Sequence, residues 1–408
     1  MDRIGIKSQT TAGAKDVLKL DDRLIEIVEA EYPRFSELEM KRRRSAMARA
    51  MAEAEVDHLL VYGSGFRGGA VGWLSQWLAT TEAHLIFSPG EKDAMFVQYY
   101  NHLPLARVIA READVAWGGA STIQASLAEL AKRGARLGRV GVAGAMPFHP
   151  YHALAARFGD VVDMNRAYNR LRMIKSAEEI DWFRIGARLS DLSIDALRRE
   201  IRSGITERDL GAIVEGAYQT WGGTNVIHFF AVNAMRAPAY GVPRQYPSTR
   251  KVRNGDVIST EITSNFWDYG GQVLRTFSVG EELTPLFRDL HDAADAAYDA
   301  ILKVLRPGLH AEEIVRAARP IEEAGFTTYD DLVHGTGGGY LPPIVGSPSR
   351  QNEPIPDMRI EAGMMMVIQP NVITKDERAG IQTGEAVVVT EKGAESLHTA
   401  PRGPFVVG

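Results

Sequence analysis

The sequence predicts an α/β fold for the N-terminal half and an α+β fold for the C-terminal half, and three observations lead to this fold class. The chain has 408 residues, more than one hydrophobic core ordinarily holds, so two domains are expected. In the first half, apolar strand patterns alternate with helical patterns. In the second half, capped helices precede hairpins and the same order then repeats, which is typical of antiparallel α+β layers. We predict domains over 1–168 and 169–408.

The composition excludes several classes of function. The chain is 45% hydrophobic and 24% charged, as globular proteins are. Its formal net charge of -5 and the lack of a basic domain argue against nucleic acid or a membrane surface as the main partner. The absence of cysteine excludes disulfides, cysteine-zinc sites and a catalytic thiol. No apolar run is long enough to cross a bilayer and no signal-peptide pattern opens the chain, so we expect a cytoplasmic protein.

The first half contains one clear helix and four strand signals. Residues 1–35 have the pattern of an irregular arm or a lead-in helix. "ELEMKRRRSAMARAMAEAEV" has helical spacing, and we interpret its basic run, residues 41–44, as a solvated face. "VDHLLVYG" and "RVGVAG" are typical of buried strands, and "AHLIFSPGEKDAMFVQ" predicts a hairpin with a Pro-Gly turn.

The second half opens with two capped helices. Ser176 and Glu179 form a capping-box pattern before an amphipathic helix. "SGITERDLGAIVEGAYQTWGG" predicts a second capped helix. Further strands and helices are expected in alternation, with strands near 226–233, 257–280 and 364–390 and helices near 284–304 and 310–324.

Two glycine-rich segments resemble ligand loops. "VYGSGFRGGA" places Gly63, Gly65 and Gly68 after a strand, but "AVGWLSQWL" is a weak helix start, so a flexible loop is preferred over a dinucleotide site. "HGTGGGY", which begins at His334, lacks the Lys-Ser/Thr pair of a phosphate loop. Its glycines suit close approach of the backbone to a small ligand.

Five segments in order carry a family resemblance: "NRLRMIKSAEEIDWFRIGARLSD", "RKVRNGDVIS", "HGTGGG", "GMMMVIQPNV" and "GEAVVVTEKGAESL". Together they resemble the creatinase/prolidase/methionine aminopeptidase superfamily. The resemblance implies a pita-bread fold for about 170–408 and a smaller creatinase-type domain before it. It also implies a homodimer.

The metallopeptidases of that superfamily hold two divalent ions with two Asp, one His and two Glu. By resemblance, the two aspartates fall on Glu261 and Gln272, and the histidine falls on His334. The first glutamate falls on Gln369, in "IQP", and the last falls on Gly384, with Glu385 beside it.

These substitutions argue against a two-metal centre, because neutral amides do not offset the charge of two divalent cations. We therefore expect no metal and no cofactor. A single metal on Glu261, His334 and Glu385 is the alternative interpretation. Creatinase works without metal, but its active residues are also absent: the position of its histidine falls near Arg244, and its pocket glutamates fall on Gln272 and Gln369.

The resemblance gathers a candidate site from distant segments. We predict Glu261, His334 and Glu385 as catalytic groups, with His228 as a replacement base. Aromatic residues around a few polar groups suit a small, flat ligand. The predicted substrate-binding residues are Gln272, Gln369, Arg275, Arg244, Tyr240, Phe230, Trp267, Asp268 and Tyr269.

Carboxylates and an imidazole suit general acid–base chemistry near neutral pH. The first hypothesis is a metal-independent lyase that cleaves a C–C or C–N bond of a small, aromatic molecule and releases a small aldehyde. Three alternatives stay open: a creatinase-like C–N hydrolase without metal, an Xaa-Pro peptidase-like metallohydrolase with a remodelled site, and a non-catalytic binding protein.

Overall fold

The computed structural model describes residues 11–65, 70–350 and 354–408. Its chain divides into two compact units. The first unit contains residues 34–173 together with 337–339, and the second contains the remainder, including the first two helices. The units therefore differ from the predicted domains 1–168 and 169–408, because the residues before 34 belong to the second unit and 337–339 to the first. No helix in the described ranges is both long and apolar enough to span a membrane.

The first unit is built on a six-stranded sheet with the order β4-β3-β2-β1-β5-β6. β1 pairs in parallel with β5 and antiparallel with β2, and β2–β3 is the predicted hairpin. Gly68 of the glycine-rich segment after β1 lies outside the described residues. The strands are β1 His58–Gly63, β2 Ala83–Phe87, β3 Asp93–Val97, β4 Ala113–Trp117, β5 Val140–Ala143 and β6 Val162–Asp163.

Among the described residues, six α-helices belong to this unit, and the longest corrects one sequence interpretation. Arg43, within the basic run, is fully buried and donates hydrogen bonds to Glu39 (2.6 Å) and to the carbonyl of Trp73 (3.0 Å). The run is therefore not a uniformly solvated face, since Glu39 one turn earlier compensates a buried guanidinium. The helices are α3 Glu37–Glu53, α4 Ala70–Ser75, α5 Leu103–Ile109, α6 Thr122–Lys132, α7 Phe148–Phe158 and α8 Asn165–Met173.

The second unit contains a nine-stranded sheet and a three-stranded sheet. The main path of the larger sheet is β12-β11-β13-β16-β9-β8-β7, with β17 beside β16 and β18 beside β9. The smaller sheet has the order β10-β14-β15. The strands are β7 Thr224–Ala234, β8 Asp256–Phe266, β9 Tyr269–Val279, β10 Thr327–Thr328, β11 Val333–Thr336, β12 Tyr340–Val345, β13 Met365–Ile368, β14 Asn371–Ile373, β15 Gly380–Gln382, β16 Gly384–Thr390, β17 Gly393–Ser396 and β18 Phe405–Val407.

The predicted capping box of Ser176 and Glu179 is present at the start of the longest helix, α9, and Thr206 with Asp209 forms a second one at α10. Each box satisfies backbone N–H groups that the first helical turn leaves without partners. The helices of this unit are α1 Thr11–Leu18, α2 Asp22–Glu29, α9 Ala177–Glu200, α10 Glu207–Tyr218, α11 Pro285–Val304, α12 Ala311–Ala317 and α13 Pro320–Glu323.

Helix α9 lies directly against the β8–β9 hairpin. A side chain at Gly186 would place its Cβ 2.2 Å from the carbonyl oxygen of Tyr269, and one at Gly271 would lie 2.1 Å from the Cα of Ala187. Glycine at both positions therefore permits close packing of helix and hairpin. Phe183 of α9 joins a fully buried cluster with residues of β9, β13 and β16. The predicted fold class, with an α/β unit and an α+β unit, is confirmed.

Candidate active site

The centre of the site is a carboxyl group on β8 that is held by an amide on β9. Thr263 lies directly opposite Gln272 in the β8–β9 ladder, so Glu261, two residues earlier, projects from the same face as Gln272. The Gln272 amide nitrogen donates to Glu261 Oε1 (3.0 Å) and to Gln369 Oε1 (2.8 Å). The structure thus brings together three residues that the resemblance had placed in one site.

Gln382 is a second amide on the same carboxyl, and the sequence analysis missed it. Its nitrogen donates to Glu261 Oε2 (3.3 Å) and to Asn371 Oδ1 (2.9 Å). Its Oε1 is buried and has no hydrogen-bond partner among the described residues. A signal for Gln382 was available, because it lies two residues before Gly384, where the resemblance places a metal-binding glutamate.

Asp331 is a second carboxyl of the cluster that the sequence analysis missed. The Gln369 side-chain nitrogen lies 3.3 Å from Asp331 Oδ2 and 3.4 Å from its backbone oxygen. Asp331 is 7% exposed. It stands three residues before His334, and this closeness to the predicted histidine was the only signal in the sequence. Glu261, Gln272, Gln369 and Asp331 form one continuous hydrogen-bonded chain, which we call the amide relay.

Both carboxyl groups of the amide relay are shifted toward their protonated forms. Burial raises the pKa of Glu261 to about 7; the Gln382 hydrogen bond opposes this rise and the charge of Asp330 adds to it. Burial also raises the pKa of Asp331 to about 8, with further contributions from Asp330 and from Glu261. Two groups that titrate near neutral pH in one cluster are the pattern expected of an acid–base site.

His334 presents a free acceptor beside the relay. Its Nδ1 lies 3.0 Å from the Gly335 carbonyl oxygen, so the proton resides on Nδ1 and Nε2 is the acceptor. Nε2 is buried and has no hydrogen-bond partner among the described residues. The ring stacks on Tyr340 at 3.9 Å between centroids. Burial lowers the pKa of His334 to about 4, so the imidazole is neutral at physiological pH.

Glu385 and Arg275 form a buried ion pair instead of facing a substrate. Arg275 donates to Glu385 and to the carbonyls of Gly384, Ala400 and Pro401, and Tyr298 donates to the other Glu385 oxygen (3.1 Å). Burial alone would raise the pKa of Glu385, but the Arg275 charge holds it below its usual value. The catalytic prediction for Glu385 and the substrate-binding prediction for Arg275 are therefore corrected to a structural role, because their polar groups are already committed.

His228 and Phe230 lie on the wrong face of β7. Phe229 pairs directly with Glu261, so the residues on either side of it point to the opposite face. His228 Nε2 lies 3.3 Å from the Tyr218 hydroxyl on α10, and Phe230 is fully buried. The predictions of His228 as base and Phe230 as substrate contact are corrected on this ground, and Phe229 is the residue that shares the face of Glu261.

The predicted aromatic rim is also displaced from the amide relay. Trp267 and Asp268 form the two-residue turn of the β8–β9 hairpin, and the hydroxyl of the following residue, Tyr269, lies 3.2 Å from Glu179 of α9. The turn begins six residues after Glu261, about 20 Å along an extended strand. Tyr240 donates to the Val232 carbonyl (2.6 Å), and the exposed Arg244 guanidinium stacks on its ring. Tyr240, Arg244 and Tyr269 therefore find partners elsewhere, and Trp267 and Asp268 lie in a turn remote from Glu261.

The residues present do not fit a two-metal centre. Gln272 and Gln369 are neutral amides that bind each other, and Gln272 also binds Glu261; both amides occupy positions that need anionic oxygens. At Gly384, φ is +145° and an added Cβ would lie 2.1 Å from the Ile368 carbonyl oxygen, so no carboxylate can stand there without a backbone shift. No group of three or more His, Asp or Glu in the described ranges could hold a metal ion. The single-metal alternative fails as well, since Glu385 is bound to Arg275.

The C-terminal part of the chain matches a known family. Residues 181–391, just over half of the chain, match the profile described as metallopeptidase family M24. The probable dipeptidase PepE of Mycobacterium bovis is 31% identical over 248 residues, which cover 58% of this chain and 62% of that protein. The Xaa-Pro dipeptidase of Pyrococcus furiosus is 24% identical over 245 residues, covering 57% of this chain and 65% of that protein. The matched region thus spans less than two thirds of either relative's length.

Solved structures support the same fold over more of the chain. The Xaa-Pro dipeptidase from Bacillus anthracis covers 90% of this chain at a TM-score of 0.76 and 18% identity, and all of that chain is covered. The superfamily resemblance is confirmed. The hypothesis of a metal-independent lyase is wrong: the relatives are named for peptide hydrolysis, which the peptidase alternative fits better.

Proposed function

The chain belongs to metallopeptidase family M24, and from this premise we propose that it is a hydrolase that cleaves an amide bond in a small, peptide-like molecule. The names of the relatives, dipeptidase and Xaa-Pro dipeptidase, support this class of bond. The expectation that the substrate is aromatic has no support in the relatives' names.

The observation that carries the proposal is the setting of Glu261. Two amide N–H groups hold its carboxyl in place, and burial brings its pKa to about 7. A carboxyl with a pKa near the ambient pH is ionised often enough to accept a proton and basic enough to take one from water. Glu261 is partly exposed, in contrast to Gln272 and Gln369, so water can reach it. We assign Glu261 as the general base.

His334 adds an acceptor for a substrate N–H or for the attacking water. Its Nδ1–H is held by Gly335, so the unpartnered Nε2 can accept a hydrogen bond without a change of tautomer. A neutral imidazole in this position orients a group but does not supply a proton. Hydrolysis in this account uses only the carboxyls, amides and imidazole of the chain, because the donor set does not fit the superfamily's metal centre.

A panel of dipeptides, both Xaa-Pro and without proline, tests the proposal. Wild-type protein should release free amino acids, measured by mass spectrometry. Glu261→Gln keeps the shape of the side chain and removes the base, so the rate should fall at least about 100-fold. Glu281→Gln, which makes the same change at a partly exposed ion pair with Arg236, is the matched control and should keep the wild-type rate. Failure of the wild type to hydrolyse any amide, or full activity of Glu261→Gln, would overturn the proposal.

Two further expectations remain proposals. We propose a homodimer, as the superfamily resemblance implies. We also propose a cytoplasmic location, as the cysteine-free composition suggested. Light scattering of the purified protein and fractionation of the source cells test these two points.

A further inference from the structure

We propose that Asp331 is the general acid of this site, the group that protonates the departing nitrogen when the amide bond breaks. The inference rests on the proposed function and deepens it, because it assigns the second half of the proton transfer. The superfamily pattern does not supply this residue. It arises from the side chains of this chain alone.

The first argument is the position of Asp331. Its carboxyl and that of Glu261 lie at the two ends of the amide relay, joined through Gln272 and Gln369. The charge of Glu261 acts on Asp331, and both charges act on the Tyr340 hydroxyl. Tyr340 in turn stacks on His334. The two carboxyls, Tyr340 and His334 therefore belong to one cluster.

The second argument is the orientation that the relay imposes on its amides. An ionised Glu261 accepts hydrogen bonds only, so the Gln272 nitrogen must face it. Gln369 Oε1 accepts the other Gln272 hydrogen, and the Gln369 nitrogen then faces Asp331. The Gln369 nitrogen thus donates a hydrogen bond to Asp331 Oδ2. The other carboxyl oxygen has no hydrogen bond with Gln369 and can carry the acid proton.

The surroundings of Asp331 hold it toward its protonated form. The groups that act on Asp331 are burial, Asp330 and Glu261, all of which favour its protonated form, and its own backbone hydrogen bond, which opposes them. No cation is among these influences. The charge of an ionised Glu261 thus raises the pKa of Asp331 further, so that a basic Glu261 and a protonated Asp331 can coexist as the base and acid of one site.

The chemical step balances with water as the only co-reactant. Water oxygen bonds to the carbonyl carbon while Glu261 takes a proton from that water. The C–N bond then breaks, its electron pair goes to nitrogen, and Asp331 gives its proton to that nitrogen. The products are a carboxylic acid and an amine. Glu261 releases its proton to solvent and Asp331 takes one up, which restores the starting state.

Two probes with the same acyl group and different leaving groups test the role of Asp331. Alanyl-proline needs protonation of its leaving nitrogen, whereas the p-nitrophenyl ester of alanine loses a phenolate that needs none. Asp331→Asn should slow the first by about 100-fold or more, as expected for loss of a general acid, and should leave the second near the wild-type rate. Asp289→Asn, which removes an exposed carboxyl of α11, is the matched control and should keep the wild-type ratio of the two rates.

The pH profile gives a second readout. Wild-type turnover of alanyl-proline should fall at alkaline pH as Asp331 loses its proton, and Asp331→Asn should lack this alkaline limb. Equal slowing of both probes by Asp331→Asn, or no slowing of either, would overturn the assignment while the proposed hydrolysis stands. If the wild type hydrolyses neither probe and no dipeptide, the proposed function fails instead. Thermal melts of each variant establish that the fold is intact.

Discussion

The side-chain nitrogen of Gln272 donates a 3.0 Å hydrogen bond to the carboxyl of Glu261, where the superfamily places two metal-binding aspartates. One amide and one carboxyl satisfy each other directly, so this pair needs no cation between them. Gln369 and Gln382 extend the same pattern on either side. We therefore infer that the site has exchanged ionic ligation for a network of hydrogen bonds between amides and carboxyls.

Metal analysis tests this exchange. The purified protein should contain well below one divalent ion per chain, and chelators should leave its turnover unchanged, because two amides and a glycine occupy ligand positions. The double variant Gln272→Asp with Gln369→Glu restores two carboxylates and should bind Mn²⁺ or Co²⁺ measurably in calorimetry. Stoichiometric metal in the wild type, with activity lost to chelator, would contradict the exchange.

Stability should depend on pH through Glu261. Its pKa is raised from 4.5 to about 7 on folding, so the folded state favours the protonated form. This contribution is fully present below about pH 4.5 and is lost as the pH rises through about 7. Glu261→Gln should therefore stabilise the protein at about pH 8 by on the order of 2 kcal/mol, less at acid pH, since one pKa unit is about 1.4 kcal/mol and partial exposure reduces the effect. Urea unfolding at the two pH values measures the difference, and an equal effect at both would refute this origin.

The ion pair of Arg275 and Glu385 should contribute to the stability of the fold more than to substrate binding. Arg275→Met leaves Glu385 buried without its cation, and loss of one partner from such a pair costs about 3 to 5 kcal/mol. Arg244→Met is the matched control: it removes an exposed guanidinium stacked on Tyr240 and should cost within about 1 kcal/mol. Denaturant unfolding of both variants checks the contrast. If Arg275→Met had only a mild effect on stability and raised KM strongly, Arg275 would be a substrate-binding residue after all.

Two of the buried histidines, His228 and His334, should differ sharply in their effect on turnover. His228→Gln changes a side chain on the helix-covered face of β7, so kcat should stay near the wild-type value even if the protein melts earlier. His334→Gln removes the unpartnered Nε2 beside the amide relay and should reduce kcat/KM by about tenfold or more. Steady-state kinetics with a hydrolysed dipeptide compares them. A larger kinetic loss at His228 than at His334 would show that the face assignment is wrong.

The sequence predicted the fold well because its signals are local. Capping boxes, the β2–β3 turn and the β8–β9 hairpin depend on residues close in the chain. The sequence also grouped Glu261, Gln272, His334 and Gln369 in one site, because the superfamily resemblance marks these positions as parts of the same site. It assigned His228 and Phe230 incorrectly, because the register of β7 against β8 depends on a bulge near Asn225 and Ile227 that composition does not reveal.

Other site residues could not be predicted because their roles depend on long-range partners. Glu385 and Arg275 are polar residues in a predicted pocket, and only the structure shows that each is already bound by the other. Asp331 and Gln382 lie in segments far from Glu261 along the chain; Asp331 is linked to it through Gln369 and Gln272, and Gln382 donates to it directly. The pairing of strands from distant parts of the sequence brings these side chains close to Glu261.

Turnover in heavy-oxygen water tests the central claim most directly. Chelator-treated wild-type protein should convert a dipeptide to products, with one solvent oxygen in the new carboxyl group, and Glu261→Gln should lose this turnover. That outcome would show that Glu261 and the amide relay carry out hydrolysis without divalent metal. Products without solvent oxygen, or labelled products formed only after metal is restored, would contradict the account.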